Sequence, residues 1–292
     1  MGLTIFNSDI GKTRMSITTA YISHGGGPLP LLENSIGTGG VGDANHQEMI
    51  EVLKSITLDI QRPDAIVVIS AHWEENDTQV TAGNKPSLIY DYYGFPESAY
   101  TLQYPALGIP DLSASIVAGL QAQGIEATAN PSRGFDHGMF VPLTIMYPEA
   151  DIPCIQVSLT ADLNAAKHIA LGRALRHILD ANYNDKHVLV LGSGSSFHNM
   201  RGFFDSSASA NKKAGDFNQW LQDTMQSSVI SEIKRGQTLS DWKNAPHGIF
   251  AHPREEHLLP LHVCYGVNER KADKAISLTL LTKPASMFLW QN

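Results

Sequence analysis

The residues best placed to do chemistry in this chain are its histidines. There are 12 of them in 292 residues, and several stand at marked positions. His24 follows the apolar run AYIS and precedes Gly25, Gly26 and Gly27. His72 follows AIVVISA, and His198 follows VLVLGSGSSF. Each is expected just beyond the carboxyl end of a central strand, the edge at which open α/β sheets bind ligands. Three imidazoles from three strand ends can converge on one point, and neutral imidazole is a common ligand for first-row transition metals. One histidine near a strand end is more often a core or capping residue, so the weight falls on the set.

A fourth contribution comes late. In AHPREEHLLPLHVCYG, Pro253 suits a first helical position, which puts Glu255, Glu256 and His257 in the first turns. A carboxylate and an imidazole there make a plausible closing ligand pair. His137, in RGFDHGMFVPL, is flanked by Asp136 and by Gly134 and Gly138. That pattern suggests a tight polar loop and an acid/base or substrate-binding imidazole. His46, His168, His177, His187 and His247 lack such context and are expected in surface or capping roles. His252 and His262 flank His257 and are expected at most to back up a ligand.

Other chemistries fit less well. GSGSS, residues 192–196, resembles a phosphate-cradling loop but lacks the Walker lysine and the GxGxxG spacing. SHGGG resembles an oxyanion loop of hydrolases, yet no GxSxG nucleophile elbow follows.

The elements that must position these residues alternate in type. Apolar, β-branched runs at 18–23, 65–70, 154–159 and 187–193 read as strands buried on both faces, with a late strand at 277–282. Helical periodicity covers 46–60, 112–124, 164–181 and 213–226. The alternation gives an α/β fold: a single domain with a central, largely parallel sheet flanked by helices and a metal site at the carboxyl ends of strands. Residues 1–17 are expected to be an N-terminal extension and 18–292 the catalytic domain. The glycine-rich stretch 33–45 reads as a mobile lid. The tyrosine- and proline-rich stretch 87–108 reads as an ordered surface loop or edge.

Composition narrows the partners. The net charge of -8 repels phosphate backbones, which argues against nucleic acid. No apolar run approaches the roughly 20 residues of a membrane span, and the polar N-terminus has no signal-peptide core. Cys154 and Cys264 sit in apolar segments without CxxC spacing, as buried thiols of a reducing compartment do. The expected location is cytoplasmic; oligomeric state is not legible.

At these residues the sequence resembles a known family. YISHGGGPLPLL, AIVVISAHW, YDYYGFPESAYTLQYPALG, GFDHGMFVPLTIMYPEADIPCIQVSL, SGSSFHNMR and REEHLLPL follow one another as in the class III extradiol ring-cleavage dioxygenases, in the DOPA 4,5-dioxygenase branch. The resemblance spans about residues 18 to 290. It implies His24, His72 and His257 as metal ligands. It also implies His198 beside the metal as acid/base catalyst or fourth ligand, and His137 as a second imidazole lining the substrate pocket. More distant ring-cleavers close the site with a glutamate, so Glu256 is the alternative to His257. The implied cofactor is Fe(II) in activity, with Zn(II) in the protein as isolated. The implied partners are a small catechol and dioxygen. Tyr92, Tyr93 and Arg133 are candidates for stacking on the substrate or contacting its carboxylate. The same histidines are also compatible with a zinc hydrolase, or with a non-enzymatic metal-binding protein of the same fold.

Overall fold

The computed structural model describes residues 16–32, 45–183 and 185–291. Its strands are β1 (Ser16–Ser23), β2 (Ala65–Glu75), β3 (Thr78–Thr81), β4 (Ala127–Asn130), β5 (Cys154–Thr160), β6 (His187–Gly194), β7 (Lys274–Leu280) and β8 (Lys283–Trp290). They form one eight-stranded sheet in the order β4-β3-β5-β2-β6-β1-β8-β7. The central four, β5-β2-β6-β1, are all parallel. These are the continuous apolar runs of the sequence, and every residue of β6 is buried. Antiparallel pairing is confined to the flanks, where β3 meets β5 and the β7–β8 hairpin meets β1.

The helices are α1 (Gln47–Asp59), α2 (Pro110–Ala122), α3 (His137–Met146), α4 (Ala165–Asn182), α5 (Met200–Phe203), α6 (Ala208–Gln226), α7 (Glu232–Ser240), α8 (Gly248–Ala251) and α9 (Leu259–Asn268). Helix α9 packs on β6, β1 and β2 and is crossed by α4; α3 packs on β2 and β6. The α4–α9 crossing is close because Gly172 lies against the Val263 carbonyl and Gly266 against that of Ile169. A Cβ at either position would stand 2.1 Å from that oxygen. Among the described residues no helix is long and apolar enough to cross a membrane.

Three expectations are corrected. The late strand ends at Leu280, turns at Leu281 and Thr282, and returns as β8, where 277–282 was expected to be one strand. Leu281 takes a left-handed conformation (φ 56°) in a turn without the glycine or asparagine that would advertise it. The helix expected from Pro253 begins instead at Leu259, with Pro260 in its first turn. Glu255, Glu256 and His257 therefore lie in a turn before α9. The reason is that the His257 carbonyl accepts from the Ser195 N–H (3.0 Å) and the Tyr21 hydroxyl (2.9 Å) rather than from a helical N–H. Finally, β2 does not stop at residue 70. Its pairing with β5 jumps from Ile69↔Val157 to Glu74↔Leu159, so His72 lies inside a bulged strand and not beyond its end.

The 87–108 segment is irregular apart from one 3-10 turn, Glu97–Tyr100, and is tied down by a Leu88↔Phe135 bridge. Of the expected lid, 33–45, all but its last residue lies outside the described residues, as do residues 1–15 of the expected N-terminal extension.

Candidate metal centre

The parallel strands deliver the first imidazoles. His24 follows β1 directly and is 1% exposed. The β2 bulge re-aims His72, as bulges beside sites commonly do. The two Nε2 atoms stand 3.0 Å apart. His137, the first residue of α3 rather than part of a loop, brings its ring centroid to 3.9 Å from His72 and 5.4 Å from His24. Ligand atoms of these three lie within 4.8 Å of one another. The turn before α9 supplies His257, with centroids 5.2 Å from His24 and 5.0 Å from His72. His198 stacks on His257 at 3.4 Å and 14°. The structure thus brings all five singled-out histidines into one cluster.

Each ring has a partner at its outer nitrogen, Nδ1. The Ser193 hydroxyl donates to the Gly138 carbonyl, so at its 2.9 Å contact with His24 it accepts the Nδ1 proton. His24 Nε2 is therefore a bare lone pair. Glu256 Oε1 accepts from His257 Nδ1 (2.9 Å) and lies 3.4 Å from His198 Nδ1. Asp91 Oδ1 accepts from both the backbone N–H (3.0 Å) and Nδ1 (2.8 Å) of His137, while Oδ2 lies 3.7 Å from His72 Nδ1.

The electrostatics agree. Burial, then the neighbouring imidazoles, hold His24 and His72 well below the usual imidazole pKa. Burial and His198 bring His257 down to about 4, against the opposing pull of Glu256. Burial also works to raise the Glu256 carboxyl. It is outweighed by the contacts from His198 and His257, which hold that group well below the usual carboxylate range. Neutral imidazoles beside one ionised carboxylate are the protonation states that metal binding requires. The donor set therefore fits a divalent first-row metal.

The remaining candidates separate. Tyr92 sets its ring edge against His137 at 5.8 Å and donates its hydroxyl to the Ala99 carbonyl. Tyr93 is 92% exposed and is not brought to the cluster. The Arg133 guanidinium lies over Trp73 (5.0 Å) and donates to Asp136 (3.1 Å) and the His72 carbonyl (3.4 Å). It reaches the site through its support of buried Asp136, which also accepts from Ser70 and Gln156.

Sequence reasoning missed several supports. Asp91 sits in YDYYG, where a carboxylate among tyrosines is a usable signal. Ser193 and Gly194 belong to the GSGSS run, which forms part of the floor of the site and not a phosphate loop. An added Cβ at Gly194 would lie 2.1 Å from the His257 carbonyl oxygen. His46, expected in a surface or capping role, stands at the N-cap position of α1 but is fully buried, and its Nε2 accepts from the Gly26 N–H in the HGGG loop (3.1 Å).

Residues 18–286 match the family described as the catalytic LigB subunit of aromatic ring-opening dioxygenase. The chain belongs to this family. Its relatives include a dioxygenase, tasH, of Hapsidospora irregularis, 37% identical over 271 residues (87% of this chain, 79% of the relative). The 4,5-DOPA dioxygenase extradiol of Escherichia coli K12 is 32% identical over 263 residues, with 89% of this chain and 88% of the relative covered. A crystal structure of an uncharacterized protein of Escherichia coli K12 superposes with a TM-score of 0.69 at 25% identity. It covers 94% of this chain and 99% of that one. The single α/β domain and its sheet are consistent with this family's fold, and a metal cofactor is the family's implication for the histidine cluster.

Proposed function

We propose that this chain is an extradiol dioxygenase that uses Fe(II) and dioxygen to open a catechol ring beside, not between, its hydroxyl-bearing carbons. One observation carries the reading. In a member of the ring-opening family, five histidines converge, and each has a hydrogen-bond or carboxylate partner at Nδ1. In this reading His24, His72 and His257 hold the metal. Glu256 stands behind His257, because its Oε1 is taken up by the imidazoles and its Oε2 faces Arg254 at 3.3 Å. When bound, the metal supplies open positions, a lowered pKa for the catechol hydroxyls and one-electron chemistry.

The chain's own residues do the rest. His137 has its Nδ1 proton held by Asp91, so its Nε2 accepts a proton from a catechol hydroxyl. His198, stacked on His257 with its side chain 26% exposed, is the other proton carrier and the border ligand in a zinc-loaded form. Tyr92 gives the ring an aromatic wall. Relatives named for 4,5-DOPA make DOPA the first catechol to offer. Zn(II) suits the same imidazoles and is expected in the protein as isolated. Two buried free thiols suit a cytoplasmic location. A small catechol and dioxygen are the proposed partners.

The test is anaerobic Fe(II) loading followed by DOPA, caffeic acid and catechol in the presence of oxygen. Oxygen consumption with a growing yellow absorbance is expected. No uptake with any catechol would overturn the proposal.

A further inference from the structure

We propose that Asp91 is a positioning residue for the cluster, fixing the His137 ring with its Nε2 turned inward and presenting its second oxygen to the outer nitrogen of His72. The inference rests on the reading of His72 as a metal ligand and His137 as a proton acceptor. Neither the family match nor the histidine pattern assigns Asp91 a role.

The geometry is specific to a carboxylate. Oδ1 accepts two hydrogen bonds from one residue, the His137 backbone N–H at 3.0 Å and its Nδ1 at 2.8 Å. This pairing ties ring orientation to the start of α3, which His137 opens. Oδ2 faces His72 Nδ1 at 3.7 Å, on the side of that ring away from its 3.0 Å Nε2 contact with His24. Oδ1 therefore holds the His137 proton at Nδ1, while Oδ2, beyond hydrogen-bond range, presents its charge to His72 Nδ1 and favours a proton there once metal takes Nε2. Glu256 Oε1 likewise lies at the Nδ1 atoms of His257 (2.9 Å) and His198 (3.4 Å). A neutral imidazole carries one proton, so holding it at Nδ1 frees Nε2 as a lone pair.

An amide cannot substitute. Asparagine offers one acceptor and one donor. If its oxygen keeps the two His137 bonds, its NH2 faces His72 Nδ1 as a donor and holds the His72 proton at Nε2, the atom that would bind metal. If the amide flips, its NH2 faces the His137 Nδ1–H and drives that proton to Nε2. Either way one ring presents the wrong nitrogen.

The experiment compares wild type, Asp91→Asn and Asp91→Glu in three ways. The first is nitrogen NMR of 15N-histidine-labelled, metal-free protein above neutral pH, which reports which ring nitrogen carries the proton. The second is zinc affinity by competition with a chromophoric chelator. The third is the melting temperature of the metal-free protein. Wild type is expected to show Nδ1–H on His137. Asp91→Asn should hold one of the two rings as Nε2–H against zinc and weaken zinc binding about 10–100-fold, the usual effect of losing such a partner. Its melting temperature should change little, and Asp91→Glu should regain part of the affinity. Wild-type zinc affinity in Asp91→Asn would overturn the proposal. So would Nε2–H on His137 in wild type, which decides the matter even if the variant does not fold. None of these readings depends on turnover. Wild type that binds no zinc counts against the metal centre itself, whereas equal binding by wild type and Asp91→Asn counts against Asp91 alone.

Discussion

Gly194→Ala adds a single methyl group in the floor of the site, and it should disable the centre. Gly194 ends β6, and the turn carrying His257 lies directly on it. The added Cβ would meet the His257 carbonyl oxygen at 2.1 Å, its carbon at 3.0 Å and its Cα at 3.4 Å. These are backbone atoms, so no rotamer change relieves the clash. The His257 segment must retreat by about 1 Å, and overpacking of this kind costs roughly 1–3 kcal/mol. The same carbonyl accepts from Ser195 N–H and the Tyr21 hydroxyl, so retreat also stretches both bonds. Misplacing a reacting group by about 1 Å can cost on the order of 100-fold in rate. We therefore expect Gly194→Ala to fold with a melting temperature a few degrees lower. It should bind metal at least tenfold more weakly, by about 1.4 kcal/mol, and open catechols on the order of 100-fold more slowly. Chelator competition and oxygen-electrode assays on one preparation measure both. A variant with unchanged metal affinity and turnover would refute the idea that the β6 glycine sets the position of His257.

Three further outcomes follow from particular contacts. His257→Ala should lose bound metal, whereas His198→Ala should retain most of it and lose turnover; metal analysis of the two dialysed proteins separates ligand from proton carrier. His262 is buried between the carbonyls of Leu239 and Leu258, and burial brings its pKa from 6.5 down to about 4. The unfolded chain thus binds the extra proton between those values, so this site's contribution is complete above pH 6.5 and is lost as pH falls towards 4. The stability gap between wild type and His262→Leu, from urea unfolding, should shrink by up to about 3 kcal/mol across that window; a constant gap would exclude the effect. Arg133→Met should destabilise the fold by about 2 kcal/mol by removing a partner of buried Asp136. It should raise KM equally for catechol and caffeic acid, while a selective rise for the carboxylated substrate would make Arg133 a carboxylate receptor instead.

What the sequence revealed, and what it concealed, has physical causes. The central strands were legible because parallel strands buried on both faces leave continuous apolar runs, as in AIVVIS and HVLVLGS. His24 was legible because its strand ends on three glycines. His72 was misplaced relative to its strand because a bulge has no compositional mark here; the apolar run ends at the point where the backbone leaves its ladder. The EEH turn reads as a helix start because Pro253 and Pro260 both suit a first helical turn, and only the long-range capture of the His257 carbonyl decides between them. The roles of Asp91 and Ser193 are not legible because they depend on partners 46 and 169 residues away. Tyr92 and Tyr93 looked equivalent in YDYYG, yet one packs against His137 and the other faces solvent, a division that an irregular loop does not announce.

The central claim is that this histidine cluster inserts both atoms of dioxygen into a catechol. It is tested most directly by a single turnover of Fe(II)-loaded protein with DOPA under 18O2, with the product trapped by reduction as it forms and analysed by mass spectrometry. We expect a ring-opened product carrying both labelled oxygen atoms, and none from a His24→Ala chain. An unlabelled product, or turnover that proceeds with zinc in the absence of oxygen, would contradict the account and make the centre a hydrolase.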